Sequence, residues 1–388
     1  MSLGRMESPK AVYIHIPFCT NKCYYCDFNS VVLKGQPVMD YLKAMEREME
    51  RTVSETPPGV IRSIFVGGGT PTVLTAEQMA YFLGTVREHF PHWAEDMEFT
   101  MEANPGTVDE DKLRVMKEGG VNRISFGVQS FDDGLLKTIG RIHDTGDVYR
   151  SLEAARSVGF DNISIDLMFG LPRQTLEQLD RTLTAALELS LPHYSIYSLK
   201  IEENTLFHTL YQRNELPLPD EDTELAMYER IIERMRQAGY DHYEISNFAK
   251  PGYESRHNMT YWRNEPYYGI GAGAHGYVRG RRHMNIKGVQ PYIKAAFERL
   301  PVQEQFTVDE REAMEDFMMV GLRILRGVRD EDFIAQFGVK IEEVFGAQVA
   351  DLCGRGLLER TAEGWKLSAQ GLIYGNEVFG AFLNSGNE

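Results

Sequence analysis

Short runs of β-branched and aromatic residues recur along the chain at 12–16, 61–66, 97–102, 123–126, 162–167 and 194–199, bounded by Gly, Pro or Asn. Between them, apolar residues fall at helical spacing over 40–53, 76–90, 109–117, 148–158 and 176–189, each stretch long enough for a crossover between parallel strands. This alternation predicts an α/β fold with six parallel strands in a β/α series. In barrels of that kind chemistry gathers where strands end. Polar or Gly residues stand at those ends here: Gly67-Gly68-Gly69-Thr70-Pro71, Glu102, Gln129 and Asp166. Another helix is expected at 221–238, followed by extended segments at 240–248 and 267–277 that would widen the sheet. Past about residue 300 the pattern turns to helices at 311–325, 330–337 and 341–353 with two short strands around a turn at 361–364, a winged-helix-like order. The expected division is a partial barrel at 10–210, an extension at 211–300 and a small C-terminal helical domain at 301–388.

Composition narrows the class. The 388 residues are 43% hydrophobic and 25% charged, and Gly and Pro together give only about 13%, which fits a folded globular chain and no collagen-like or low-complexity one. The formal charge of −16 would repel a phosphate backbone over most of the surface. The winged-helix-like segment itself carries 8 bases against 16 acids, so nucleic acid is not an expected partner. No run of 18 apolar residues occurs, and no basic stretch leads into an apolar one near the N-terminus; a cytoplasmic protein without a transmembrane segment is expected.

Three of the four cysteines, Cys19, Cys23 and Cys26, fall within eight residues, while Cys353 stands apart and receives no role. The C-x3-C-x2-C spacing leaves an odd thiol however it is paired, which argues against a disulfide framework and for metal. A structural zinc site wants four ligands, and no second Cys or His pair supplies them. An iron–sulfur cube is satisfied by three thiolates with one iron left open. Zinc and an unliganded loop are the competing readings.

Tyr13-Ile-His-Ile-Pro-Phe-Cys19-Thr-Asn-Lys-Cys23-Tyr-Tyr-Cys26 resembles the radical S-adenosylmethionine (SAM) superfamily, and within it the oxygen-independent coproporphyrinogen III oxidase-like family. The resemblance continues through Gly-Gly-Gly-Thr-Pro-Thr at 67–72, Glu-Ala-Asn-Pro-Gly at 102–106, Arg-Ile-Ser-Phe-Gly-Val-Gln-Ser-Phe at 123–131, Gly-Arg at 140–141 and Asp-Leu-Met-Phe-Gly-Leu-Pro at 166–172. It implies a partial (β/α)6 radical SAM barrel with a [4Fe-4S] cluster on Cys19, Cys23 and Cys26. SAM would chelate the open iron and accept one electron at its sulfonium, releasing a 5′-deoxyadenosyl radical. By the same resemblance Tyr13 and Tyr25 flank the adenosine, Gly69, Thr70 and Pro71 follow the methionine end, and Glu102, Gln129, Arg141 and Asp166 make polar contacts to SAM.

Two departures separate branches of that family. Its porphyrinogen-oxidising members carry a further Cys where this chain has Phe28, and a longer arm before the cluster triplet, where this one has 18 residues. His257-Asn-Met-Thr-Tyr-Trp at 257–262 instead resembles the His-Asn-x-x-Tyr-Trp motif of the haem chaperone branch, the HemW type. That resemblance implies haem as a further cofactor with His257 as its ligand, since neutral imidazole is a common axial ligand and aromatic rings can flank a porphyrin. His275, in a glycine-rich stretch, is the rival. The implied function is a haem chaperone passing haem to an acceptor apoprotein, with an electron donor such as a flavodoxin. The alternatives are a radical SAM oxidoreductase that decarboxylates a porphyrinogen, and a protein that keeps SAM only as a structural ligand.

Overall fold

Along the six expected strands apolar residues recur at alternate positions, with Arg62 and Ser198 as exceptions, and in the computed structural model, which describes residues 8–383, those residues share one face of the sheet. The strands are β1 (Ala11–Ile16), β2 (Ile61–Gly68), β3 (Trp93–Ala103), β4 (Arg123–Gln129), β5 (Asn162–Phe169) and β6 (His193–Ser198), all parallel to their neighbours. Ile64, Phe99, Ile124, Ile165 and Ile196 lie on the outer face, buried in one core beneath the crossover helices. The opposite face holds Ser63, Thr100, Ser125, Ser164 and Ser195 with Glu102 and Asp166, set side by side by the registers Glu102 to Ser125, Ser125 to Ser164 and Asp166 to Ser195. A closed eight-stranded barrel fills its interior with branched apolar residues. A polar inner face means that this concavity is kept for a ligand.

The crossover helices Val38–Glu55, Ala76–His89, Glu110–Glu118, Thr145–Ser157 and Leu176–Glu188 match the expected ones within a few residues. Thr75 and Thr175 each begin a helix by accepting from the amide of Gln78 or Gln178, whose side chain returns the bond.

The segments after the barrel extend both edges. β7 (Asp241–Glu244) and β8 (Asn247–Ala249) form an antiparallel pair against β6. At the other edge β9 (Tyr267–Ile270) runs parallel to β1, and β10 (His275–Val278), β11 (Arg281–Asn285) and β12 (Val302–Thr307) follow as antiparallel strands. The result is one twelve-stranded mixed sheet in the order β12-β11-β10-β9-β1-β2-β3-β4-β5-β6-β8-β7. The parallel run therefore has seven strands, one more than the expected six, because a parallel partner for β1 comes from some two hundred and fifty residues downstream. Elements outside the expectation include β11, β12 and the helices Asp133–Thr138, Leu206–Gln212, Arg256–Trp262 and Val289–Glu298.

The C-terminal segment has its own core, built from helices Glu310–Gly321, Asp330–Phe337 and Ile341–Gly354 and a three-stranded sheet of Val328–Arg329, Leu358–Arg360 and Gly364–Leu367. The winged-helix-like order expected there is the observed one. No helix among the described residues is long and apolar enough to cross a membrane.

Candidate functional site

The cysteine loop folds over the open end of the concave face. Phe18 is buried beside Tyr41, and Phe18–Cys19 pairs with Val31–Val32, so the loop between them projects as a closed excursion. Neighbouring segments hold it: the Tyr24 amide donates to Ile139 O at 3.1 Å, Asn21 Nδ2 to Gly140 O at 3.0 Å, and the Phe207 amide to Tyr24 O at 3.0 Å. All three cysteines are partly buried free thiols lining one pocket. Thr70 Oγ1 donates to Cys19 Sγ at 3.7 Å and Arg141 Nη1 to Cys23 Sγ at 3.5 Å. Burial pushes the Cys19 and Cys26 thiols above their ordinary range, with Lys22 opposing it on both.

Tyr25, Gly69, Thr70, Glu102, Gln129, Arg141 and Asp166 line the same pocket, so the structure gathers strand ends far apart in sequence around the three thiols. Glycine is required at its floor. Gly68 has φ +109°, and a Cβ there would come within 2.4 Å of the His15 ring; one at Gly67 would meet Glu102 Oε2 at 2.7 Å. That absence of side chains lets the Gly68 amide donate to Glu102 Oε2 at 3.1 Å. Gln129 sits at φ +67°, where the register between β4 and β5 slips, and this strained bulge turns its side chain into the pocket. Burial, then Asp166, raises Glu102 to about 8; burial also raises Asp166, against hydrogen bonds from Ser195 and Ser125. Two carboxyls in one partly buried pocket cannot both ionise cheaply, which favours a cationic ligand.

Two of the expected residues stand back from this lining. Tyr13 projects onto the concave face, where its hydroxyl is bonded to His15 Nδ1 at 2.8 Å, and Pro71 is buried at the start of the short 3-10 turn Pro71–Val73. Asn104 was not singled out in the sequence, yet it joins the pieces: its Nδ2 donates to Thr70 Oγ1 at 2.8 Å and its Oδ1 accepts from Arg141 Nη2 at 2.7 Å. Its position inside the Glu-Ala-Asn-Pro-Gly block was the available signal.

The helix Arg256–Trp262 lies elsewhere, against the inner face of β2 and β3. Glu98 caps it, accepting from the amides of Arg256 (3.0 Å) and His257 (3.2 Å). His257 is fully buried; Nδ1 is bonded to the Ser63 hydroxyl at 3.0 Å, Nε2 to the Tyr261 hydroxyl at 2.8 Å, and the ring stacks on Phe65. Burial, with Arg123 adding to it, depresses its pKa to about 3. Trp262 reaches the C-terminal domain, where the Arg323 guanidinium lies 4.5 Å from its ring centroid. His257 thus presents neither a free nitrogen nor an open face, whereas His275 on β10 is exposed.

The model of the radical SAM superfamily matches residues 13–186, and that of the HemN C-terminal domain matches 308–374. The heme chaperone HemW of Bacillus subtilis is 46% identical over 96% of this chain and 99% of its own length. That of Escherichia coli is 39% identical over 97% and 98%. The chain belongs to the HemW family. Among solved structures the coproporphyrinogen III oxidase HemN of Escherichia coli, a radical SAM enzyme, superposes with a TM-score of 0.84 over 97% of this chain and 90% of that one, at 24% identity, a likeness of fold.

Membership of the radical SAM superfamily implies a [4Fe-4S] cluster and SAM. The pocket of this HemW-family chain fits both. Three thiols face a cavity floored by glycine, Arg141 keeps a buried Nε without a partner, and the paired carboxyls Glu102 and Asp166 suit a cationic molecule.

Proposed function

We propose that this HemW-family chain is a haem chaperone: it takes haem as cargo and passes it to an acceptor apoprotein, working in the cytoplasm beside an electron donor such as a flavodoxin. The observation that carries the reading is coverage, because the match to a relative named heme chaperone, at 46% identity, spans 96% of this chain and 99% of that one.

In this reading Cys19, Cys23 and Cys26 hold the cluster, with Arg141 and Thr70 donating to two of the sulfurs. Tyr13 and Tyr25 lie toward the adenosine, Gly69, Thr70 and Pro71 toward the methionine end, and Glu102, Gln129, Arg141 and Asp166 bind the polar groups of SAM. A cluster held by these thiols would supply one electron when reduced. The residues around it bind, orient and keep water out. Glu102, with its Oε2 accepting from the Gly68 amide, holds a proton at neutral pH on its other oxygen and releases it when a cation enters.

The test pairs two measurements on anaerobically reconstituted protein: haem titration followed in the Soret region, and incubation with coproporphyrinogen III, SAM and a reductant followed by porphyrin analysis. Stoichiometric haem uptake without decarboxylation is the expected result. Substantial conversion to protoporphyrinogen IX would replace the chaperone with a porphyrinogen oxidase.

A further inference from the structure

One exposed imidazole adjoins the cluster loop. His275 begins β10, with Met284 on β11 as its cross-strand neighbour. Asn29, three residues beyond Cys26, ties this spot to the loop, donating through Nδ2 to Ala272 O at 2.8 Å and Lys287 O at 3.0 Å while its own carbonyl is bonded to His15 Nε2 at 2.8 Å. Gly273, at φ +74°, makes room for that contact; a Cβ there would come within 2.5 Å of the Asn29 amide. Burial lowers the pKa of His15, and His275 lies close enough to add to it. Phe28, adjacent to Asn29, is 61% exposed and stands at the pocket mouth. Of the two cations beside His275, Arg282 is held by Asp316 at 2.8 Å and Lys287 is exposed.

These residues supply what haem requires of a protein: an imidazole with an available lone pair, an aromatic flank and a cation for a carboxylate. His257 offers no available lone pair, because both its nitrogens are bonded within the fold. We propose that His275 is the axial ligand to haem, with Phe28 against the macrocycle and Lys287 toward a propionate, so that the cargo rests at the rim of the cluster pocket. The assignment rests on the chaperone reading. It makes Asn29 a positioning residue, since it fixes the cluster loop and the strand bearing His275 in one arrangement.

The experiment titrates reconstituted full-length protein with haem, recording the Soret band, the low-spin electron paramagnetic resonance signal and the cluster absorption. His275→Ala should weaken uptake about tenfold to a hundredfold and remove the nitrogen-ligand signature, leaving the cluster intact. Added imidazole should restore that signature. Lys287→Ala should weaken haem about twofold to fivefold and leave the dimethyl ester of haem unaffected. An unchanged spectrum and affinity in His275→Ala would overturn the site, as would a loss that imidazole fails to restore. His257→Phe is the second arm: loss of the nitrogen-ligand signature there, with His275→Ala normal, would return the ligand to position 257. Wild-type protein that takes up no haem would remove the chaperone reading and the site with it.

Discussion

The cysteine loop and the helix Arg256–Trp262 are both dense in side chains capable of ligation or catalysis, and they spend that chemistry differently. In the loop, three thiols face a shared cavity and their few partners, Thr70 and Arg141, donate hydrogen bonds to sulfur without closing it off. In the helix, each polar atom of His257 meets a fixed partner, and the peptide groups of its first turn are capped by Glu98. Both ring nitrogens of His257 are satisfied within the fold, while the Trp262 indole N–H is buried without a partner among the described residues. The helix joins the inner face of the sheet to the C-terminal domain through Trp262 and Arg323.

The sharpest break in that comparison is loss of metal. Alanine at Cys19, Cys23 or Cys26 should abolish nearly all iron incorporation, while Cys353→Ala, in a helix of the separate C-terminal core, should keep it. Iron counting and visible absorption of the four variants check this. Next in size is His257→Ala, which leaves Ser63 and Tyr261 without their buried partner and opens space under Phe65, at about 2–4 kcal/mol of stability. Denaturant unfolding should show that loss with the cluster absorption of the folded fraction unchanged; a stable variant with a bleached cluster would mean that the two regions are not separate.

SAM binding should sharpen the contrast from the other side. Because Glu102 lies at about 8, a cationic ligand must expel its proton, so affinity should rise as pH goes from 7 to 9. Glu102→Gln should flatten that slope and weaken binding by about 1–3 kcal/mol, as read by calorimetry on cluster-loaded protein. A smaller effect is expected at Glu48, a buried carboxyl raised to about 7 by burial, although Tyr292, the Gly271 amide and Asn285 all donate to it. Its folded-state pKa exceeds the unfolded one, so its linkage lowers stability as pH climbs from the ordinary carboxyl range to about 7, after which the effect is flat. Glu48→Gln should remove that part of the pH dependence of Tm.

The barrel was legible because its signals are local. Each strand carries its own alternation, each crossover helix its own spacing, and the cysteine triplet its own arithmetic; the structure moves those boundaries by only a few residues. The pocket residues toward strand ends were legible for the same reason, since the end of a parallel strand is readable wherever Gly68, Glu102, Gln129 or Asp166 interrupts an apolar run. Asn104 escaped notice because its value lies in two partners, Thr70 and Arg141, thirty-four and thirty-seven positions away.

The sequence by itself determined the β/α order, the winged-helix-like order of the C-terminal segment and the grouping of three thiols in one loop, all set by neighbours within a turn or a strand. Only the tertiary structure decided that β9 pairs with β1, that the concave face is polar, and that His257 is buried while His275 is open. Pattern and residue type state what a side chain can do. Whether its nitrogens are bonded within the fold or left exposed depends on which distant strand packs against it, and that is settled when the sheet closes around its own core.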